Sequence, residues 1–333
     1  MKQFLLAVVM VVLLVVIVMP ALLVRGCHGD FTLPGERQAT GIMVRLYVNS
    51  RDEVIELGLG EYVAGVVAAE MPASFHPEAL KAQAVVARTY AVKRIRILGG
   101  RGCDRHPGAD LCDDPGHGQA WQPTSALRKR WGFWYFPRYW GKIKRAVQDT
   151  AGLVVTYDGL PIDPVYHSTS GGHTENSEDV WGTKVPYLRG VPSTHEDRSP
   201  HLKETVRLKW SDLEKALGYQ GGSLAVAARR EEKVLEVLER SPYGRVKSVR
   251  IGERVFKGTE VRSRLGLRST LFTWHRAGDA VVIETTGYGH GVGMSQYGAD
   301  GLARTGWNFR RIIQYYYQGV KIENLSDLVG LNP

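Results

Sequence analysis

Short apolar runs rich in β-branched residues recur along the chain and predict strands. IMVRLYV (42–48) and EVIELGL (53–59) are the first two, and the four residues between them, 49–52, suit the turn of a hairpin. Four later runs have the same character and predict further strands: LVVTYDG (153–159), VYHSTS (165–170), VKSVRIG (246–252) and DAVVIETT (279–286).

Three other stretches have helical patterns. EYVAGVVAAEMP (61–72) is apolar on every face until Glu70. A second helix is predicted from Pro77 to about Ile97, since Pro suits the first helical position and apolar residues recur at helical spacing. Residues 224–239 carry the mixed charges that are typical of a solvated surface helix. The chain is therefore predicted to have an α+β fold, with mixed or antiparallel strands and packed helices.

The amino terminus predicts a membrane anchor. Phe4 to Val24 is a run of 21 residues without charge, long enough for a helix across a bilayer core of about 30 Å. A cleaved signal usually has a shorter apolar core and a small-x-small exit, so residues 1–25 are interpreted as an uncleaved anchor and residues 26–333 as an ectodomain. Within the ectodomain, the stretch THEDRSPH suggests a sub-boundary near 195–205.

Composition and charge limit the classes of function. The chain has 333 residues, of which 44% are hydrophobic and 23% charged, as in a globular protein. Its 43 Lys and Arg against 34 Asp and Glu give a net charge of +9, which favours an anionic partner such as nucleic acid, lipid head groups or a cell-wall polymer. No nucleic-acid-binding motif accompanies the charge, and an anchor would hold the domain away from DNA, so nucleic acid is not expected.

Glu70 is unusual because its helical neighbours, Val66 and Val67, are apolar and offer it no basic partner. Pro72 disfavours helical geometry at Met71, so Glu70 is expected at the helix end, where the helix dipole and burial both raise the pKa of a carboxyl group. A carboxyl that stays protonated near neutral pH can donate a proton to a glycosidic oxygen. The alternative is a Glu whose end reaches solvent and has no catalytic role.

Four potential metal ligands lie within fifteen residues of one another in the stretch GCDRHPGADLCDDPGHGQAW: Cys103, His106, Cys112 and His117. Two thiolates and two imidazoles suit tetrahedral zinc, although the spacing is not that of a common zinc finger. With only three cysteines in the chain, a disulfide framework is not expected. The alternatives to zinc are a Cys103–Cys112 bridge and loop residues without any ligand.

Two glycine-rich polar loops, HSTSGGHTENSEDVWG (167–182) and GYGHGVGMSQYG (287–298), follow predicted strands. Neither has the glycine spacing of a phosphate loop. Tight turns with polar caps are the simple interpretation, but two such loops and one buried acid together predict a polar groove for a polyhydroxylated ligand. The side chains expected to line this groove are His167, Ser168, Ser170, His173, His290 and Gln296.

Four segments in this order, YVAGVVAAEMP, HPEALKAQAVVARTYA, HSTSGGHTE with EDVWG, and GYGHGVGMSQYGADGLA, closely resemble the stage II sporulation protein D family. The resemblance implies a membrane-anchored lytic transglycosylase that cuts peptidoglycan glycan strands, preferably those stripped of stem peptides, during engulfment of the forespore. It also implies a single-pass protein of the cell membrane, with its ectodomain in the intermembrane space of the sporangium. Its implied partners are a cell-wall amidase and a membrane protein of the engulfment machinery.

The resemblance also bears on the metal ligands. The family pattern through this loop is H…C…HC, and His106, Cys112 and His117 match its first three positions. The fourth position is Gly118 in this chain, so Cys103, which is absent from the usual pattern, would have to supply the missing thiolate. Any such zinc would be structural, because four protein ligands leave no open position for water.

For the reaction, the resemblance assigns the essential acid to Glu70. A lytic transglycosylase needs no nucleophile of its own, since the C6 hydroxyl of the substrate attacks and leaves a 1,6-anhydro end, whereas hydrolases usually pair two carboxylates. Arg88 and Tyr90, one helix further on, would hold sugar acetamido groups or orient Glu70. Packing and surface charge are the alternative for these two residues.

Two other functions fit parts of the sequence. A noncatalytic module that binds glycan and enhances an amidase would have the same groove without using the proton of Glu70. A zinc hydrolase built on His167, His173 and His290 would need an open metal site, and no HExxH motif supports one.

Residues 121–142 contain four of the eight tryptophans of the chain, together with Arg and Lys. They are expected to border the groove or rest on a bilayer, with plain packing as the alternative.

Overall fold

The computed structural model of the chain describes residues 41–220, 224, 226–227 and 234–329. The predicted anchor, residues 1–25, lies outside these ranges. Within them, no helix is both long and apolar enough to cross a membrane.

The first part of the described chain is a hairpin followed by three packed helices. Strand β1 (Met43–Val48) pairs antiparallel with β2 (Glu53–Gly58), which confirms the predicted hairpin. Helix α1 (Leu59–Glu70) begins directly after β2, α2 is Pro77–Val92 and α3 is Thr124–Gln148. Because α1 is apolar on all faces, it is buried, and both α2 and α3 pack against it.

Short strands and one short helix continue this layer. They are β3 (Leu111–Cys112), which is parallel to β1, then β4 (Leu153–Tyr157), β5 (Leu160–Pro161), β6 (Tyr166–His167), β7 (Gly172–His173), α4 (Ser177–Trp181) and β8 (Pro192–Ser193). β4 pairs antiparallel with β5, and β7 pairs antiparallel with β8.

A second hydrophobic core forms between residues 203 and 286. Its elements are β9 (Lys203–Lys209), α5 (Trp210–Leu217), β10 (Leu235–Arg240), β11 (Val246–Ile251), β12 (Arg254–Lys257), α6 (Gly258–Arg264), β13 (Phe272–Ala277) and β14 (Ala280–Thr286). Two antiparallel three-stranded sheets, in the orders β10-β11-β12 and β13-β14-β9, enclose it. The suggested sub-boundary near 195–205 lies between Val191 of the first core and Trp210 of the second.

The chain then returns to the first core. The returning elements are β15 (Met294–Ser295), α7 (Gln296–Arg304), α8 (Phe309–Tyr316), β16 (Lys321–Asn324) and α9 (Leu325–Val329). β15 pairs parallel with β6, and β16 pairs antiparallel with β4. The fold is thus mixed α+β, with mostly antiparallel pairing, as predicted. The pairing of β15 with β6 brings the two predicted polar loops side by side.

Three later strand predictions are confirmed with shifts of one or two residues, as β4, β11 and β14. The run 165–170 forms a regular strand only at its second and third residues, because the chain soon turns at Gly171 and Gly172. Both of these glycines have positive φ, a conformation that β-branched residues avoid.

Two helix predictions need correction. The helix predicted over 77–97 ends at Val92, because two N–H groups of the next turn bond back to the carbonyl of Ala91. The helix predicted over 224–239 is wrong at residues 235–239, which belong to strand β10 (Leu235–Arg240), and residues 225 and 228–233 of this prediction lie outside the described residues. Here antiparallel pairing with β11 supplies the backbone hydrogen bonds, and this tertiary pairing overrides the mixed-charge pattern.

Candidate active site and metal cluster

Glu70 is the last residue of α1, as the sequence predicts. The next residue, Met71, is extended, with φ −117° and ψ 143°, because Pro72 follows it. The Glu70 carboxyl lies largely in the interior, and burial raises its pKa from the ordinary value. A protonated carboxyl at this position can act as a general acid.

Three hydrogen-bond donors from distant parts of the chain converge on this carboxyl. The backbone N–H of Ala120 donates to Glu70 Oε1 at 2.8 Å. The side chains of Tyr166 and Gln296 also act on the carboxyl, and all three donors lower the pKa of Glu70, in opposition to burial. Within the described chain, none of the groups that shift this pKa is a second carboxylate.

The pairing of β6 with β15 explains this convergence. Met294 lies opposite Tyr166 in the parallel pair, so Gln296, which begins α7 two residues later, is next to Tyr166. Gln296 is buried, and its Nε2 makes no hydrogen bond of ordinary geometry to the described residues. Gln296 therefore acts on Glu70 from a position just outside ordinary hydrogen-bond geometry.

A second set of polar groups supports Tyr166 from behind. The Nε2 group of Gln119 donates to Tyr166 Oη at 2.9 Å, and the Tyr62 hydroxyl donates to Gln119 Oε1 at 3.3 Å. Burial raises the pKa of both phenols well above the ordinary value, so both remain protonated donors. No local sequence pattern marked these three residues as part of the site, apart from the position of Tyr166 at the start of the strand that leads into the first polar loop.

Two of the predicted loop histidines lie beside Tyr166. His290 donates from Nε2 to the carbonyl of Tyr166 at 3.0 Å and accepts the Val292 N–H at Nδ1. His167 donates from Nδ1 to the Val292 carbonyl at 3.1 Å, and its Nε2 has no partner within the described residues. Burial lowers the pKa of His290 to about 4 and that of His167 well below its ordinary value, so both imidazoles are neutral at pH 7.

The other predicted loop side chains lie elsewhere. The ring of His173 stacks on Tyr243, with centroids 3.7 Å apart. Ser168 is partly buried and contacts the hydroxyl of its neighbour Thr169. Neither residue is among the groups that act on Glu70.

The prediction for Ser170 needs correction. Its hydroxyl is buried and donates to Glu196 Oε1 at 2.8 Å, and the same oxygen accepts hydrogen bonds from Ser193 and Ser295. The N–H groups of Ser170 and Gly171 complete the shell around the carboxylate. Ser170 therefore holds the two loops together through Glu196, and its hydroxyl is not available to a substrate in this conformation.

The two predicted residues of α2 also have other contacts. Arg88 is fully buried, and its guanidinium donates to the carbonyls of Val147 and Leu153 at 3.2 Å each, joining α3 to β4. This placement corrects the prediction of a sugar contact, since no part of Arg88 reaches the surface. The guanidinium carbon of Arg94 lies 3.5 Å from the centroid of the Tyr90 ring. Tyr90 also lines a cavity of about 770 Å³ beside Cys103 and Cys112.

Three of the four predicted metal ligands, Cys103, Cys112 and His117, line this cavity, and His106 lies close to the two cysteines. The ligand atoms of Cys103, His106 and Cys112 lie within 4.8 Å of one another. His117 Nδ1 is 3.1 Å from Cys112 Sγ and 3.7 Å from Cys103 Sγ. Its other nitrogen, Nε2, contacts Asp104 Oδ1 at 2.5 Å, which leaves Nδ1 as the ligand atom, an arrangement common in zinc sites.

The residues present therefore fit a structural zinc. Cys103 and Cys112 are free thiols in this structure and form no disulfide bond with each other. A Cβ at Gly118 would lie 3.4 Å from the Tyr90 hydroxyl oxygen. The phenol thus borders the position that the family pattern gives to a cysteine.

Comparisons with known proteins identify relatives of this chain. The family model SpoIID, described as stage II sporulation protein, matches residues 47–157. Stage II sporulation protein D of Bacillus subtilis (strain 168) is 38% identical over 286 residues, covering 86% of this chain and 80% of the relative. Its counterpart from Bacillus amyloliquefaciens is 38% identical over 289 residues, covering 87% and 81%. The amidase enhancer of Bacillus subtilis (strain 168) is 28% identical over 308 residues, covering 78% of this chain and 40% of the relative.

Proposed function

Since this chain belongs to the stage II sporulation protein D family, we propose that it is a membrane-anchored lytic transglycosylase acting on peptidoglycan glycan strands. The observation that carries the proposal is the environment of Glu70. It is a partly buried carboxyl whose pKa is raised by burial, it has neutral donors around it, and no second carboxylate acts on it in the described chain. One acid is enough for an intramolecular cleavage, whereas a hydrolase of the usual type needs two.

In the proposed reaction, Glu70 first donates its proton to the glycosidic oxygen as the bond from that oxygen to C1 of muramic acid breaks. The resulting carboxylate is stabilised by the N–H of Ala120 and the hydroxyl of Tyr166. The C6 hydroxyl of the same sugar then attacks C1 and gives its proton to Glu70. The acid is restored, and the product carries a 1,6-anhydro end.

A zinc ion held by Cys103, His106, Cys112 and His117 would have a structural role in this proposal. Ala120 lies three positions after His117, so the metal would fix the segment whose backbone N–H binds Glu70. When bound, zinc would cross-link the loop, and its four protein ligands would leave no open position for water.

The proposal extends to the setting of the reaction. The preferred substrates are strands without stem peptides, and the partners are a cell-wall amidase and a membrane protein of the engulfment machinery. The protein is proposed to span the cell membrane once, with its ectodomain in the intermembrane space of the sporangium. The relative named amidase enhancer supports a link to amidases within the family.

The test is the substitution Glu70→Gln, which keeps the size of the side chain and removes the transferable proton. Production of 1,6-anhydro-muramoyl ends from peptide-free glycan strands should fall by about 100-fold or more, while the melting temperature is retained. Glu61→Gln, an exposed acidic residue in the first turn of the same helix, is the matched control and should stay fully active.

A second candidate function is supported by the amidase enhancer relative. If the chain only binds glycan and stimulates an amidase, the parent protein should release no 1,6-anhydro ends, and Glu70→Gln should stimulate the amidase as well as the parent does. Reducing ends in place of 1,6-anhydro ends would instead indicate a hydrolase.

A further inference from the structure

Helix α3 carries three consecutive aromatic side chains that project into solvent. Phe133, Trp134 and Tyr135 are 77%, 85% and 57% exposed. They follow Gly132, which breaks the helix with φ 69° and ψ 175°. The other rings of this helix pack against the first core: Trp131, Phe136, Tyr139 and Trp140. Packing therefore accounts for those four rings and leaves the three at the break unexplained. We call these three residues the aromatic tip.

The helix around the aromatic tip is strongly basic. Between Thr124 and Gln148 there are seven Lys and Arg and no Asp or Glu. Arg128, Lys129 and Arg138 are exposed and flank the tip. Aromatic rings surrounded by basic side chains suit the interface of a bilayer with anionic head groups, since the rings enter the head-group region and the cations attract it.

The position of the tip also fits a membrane. Near the end of α1, Arg130 donates to the carbonyl of Ala68 at 3.4 Å. At the start of α1, the N–H of Leu59 donates to the carbonyl of Ile42, which is close to the first described residue. Nine residues of helix separate these two points by about 14 Å. The fifteen residues 26–40 that follow the predicted anchor can span up to about 50 Å, so the tip is within reach of the bilayer.

We propose that the aromatic tip and its basic flanks bind the surface of an anionic lipid bilayer, as a second membrane contact besides the proposed anchor. The tether argument rests on that anchor, whereas the exposure and charge of the tip do not. A glycan strand is the competing occupant. The ring planes of Phe133 and Trp134 are 82° apart, so they offer a wedge for a soft interface and no common flat face for sugars.

The contact would hold the active site close to a membrane. Arg130 ties the base of the tip to Ala68, two residues before Glu70. A tip seated on lipid would therefore limit cleavage to glycan strands lying within a few nanometres of that bilayer.

The test uses the full chain reconstituted into phosphatidylcholine vesicles with or without phosphatidylglycerol, with brominated lipids as quenchers of tryptophan fluorescence. Trp134→Phe should remove a large part of the bromolipid quenching and the blue-shifted part of the emission. Trp181→Phe, another exposed tryptophan, is the matched control and should leave both unchanged. Arg128→Gln with Lys129→Gln should reduce the quenching in vesicles that contain phosphatidylglycerol.

Equal quenching in the parent and Trp134→Phe would overturn the proposal, because the tip would then lie in water. The proposal would also be overturned if the emission of Trp134 shifted with peptide-free glycan strands in detergent and did not shift with vesicles. The tip would then be a binding site for the substrate. Flotation with excess vesicles reports separately on the anchor, and melting temperatures control for folding without reference to enzymatic activity.

Discussion

At the scale of single residues, the chemistry of the site depends on opposing influences on Glu70. Burial favours the protonated form, and three donors favour the carboxylate. A group that must first give and then take back a proton works best when neither form is strongly preferred. The donors keep burial from making the carboxyl too weak an acid.

Tyr166→Phe tests this balance. Its hydroxyl lowers the pKa of Glu70, so its removal should raise that pKa and keep the acid protonated to higher pH. The alkaline limb of the pH profile of glycan cleavage should therefore move to higher pH, with a lower maximal rate because the carboxylate is less well stabilised. Tyr135→Phe, on the surface, is the control. A profile that keeps its alkaline limb in Tyr166→Phe would contradict the assignment.

The predicted zinc site also depends on individual residues. The purified protein should contain one zinc per chain, and chelation should lower its melting temperature, because a structural zinc contributes to folding stability. Cys103→Ser should lose the metal although the usual family pattern has no ligand at this position. Cys27→Ser, the third cysteine of the chain, should retain it. Native protein without zinc, or with a Cys103–Cys112 disulfide, would refute the assignment.

At the scale of elements, the close packing of α1 explains why Glu70 is held firmly. Gly65 lies one and a half turns before Glu70, and a Cβ there would lie 2.2 Å from Trp121 Nε1. Trp121 is the neighbour of Ala120, which donates to Glu70. The glycine therefore lets the segment after the predicted zinc ligands approach the helix that carries the acid.

Gly65→Ala should destabilise the protein by about 1–3 kcal/mol, because the indole must move, and it should reduce cleavage by displacing the Ala120 N–H. Gly141→Ala is the matched control. It lies within α3, and a Cβ added there would meet no atom within 4 Å, so the same change should add about 0.5–1 kcal/mol. Urea unfolding and a cleavage assay measure both effects, and equal stability of the two variants would contradict the packing argument.

At the scale of the whole molecule, a buried arginine joins the two cores. Arg245, between β10 and β11, donates to the carbonyl of Ser170 at 2.9 Å and to that of Gly289 at 3.0 Å. Its Nε lies 3.7 Å from Glu175 Oε1. Burial lowers the pKa of Arg245 to about 10, so it remains charged at neutral pH. Both polar loops are thereby held against the second core.

Arg245→Met should therefore cost about 3–5 kcal/mol, because it leaves Glu175 buried without its cation and two loop carbonyls without a donor. Arg250→Met removes an exposed partner of Glu236 on the same hairpin and should cost about 1 kcal/mol or less. Denaturant unfolding of both variants at pH 7 measures the difference. Similar losses in the two would mean that Arg245 does not join the cores.

Local sequence alone determined the features that depend on near neighbours. The hairpin of β1 and β2, the helix α1 and its end at Glu70 were predictable, because β-branched runs, apolar residues and Pro72 act within a few positions. The motif residues around Glu70 also identified the family, as the identity over most of the chain confirms.

Only the tertiary structure decided which side chains meet. Ala120 is 50 residues from Glu70 in the sequence, and Tyr166 and Gln296 are further away still, so no spacing rule could bring them to one carboxyl. The same holds for Ser170, which binds Glu196, and for the strand at β10, which exists because β11 pairs with it. Such contacts depend on how the chain closes on itself, and their energies come from burial and pairing that no local window contains.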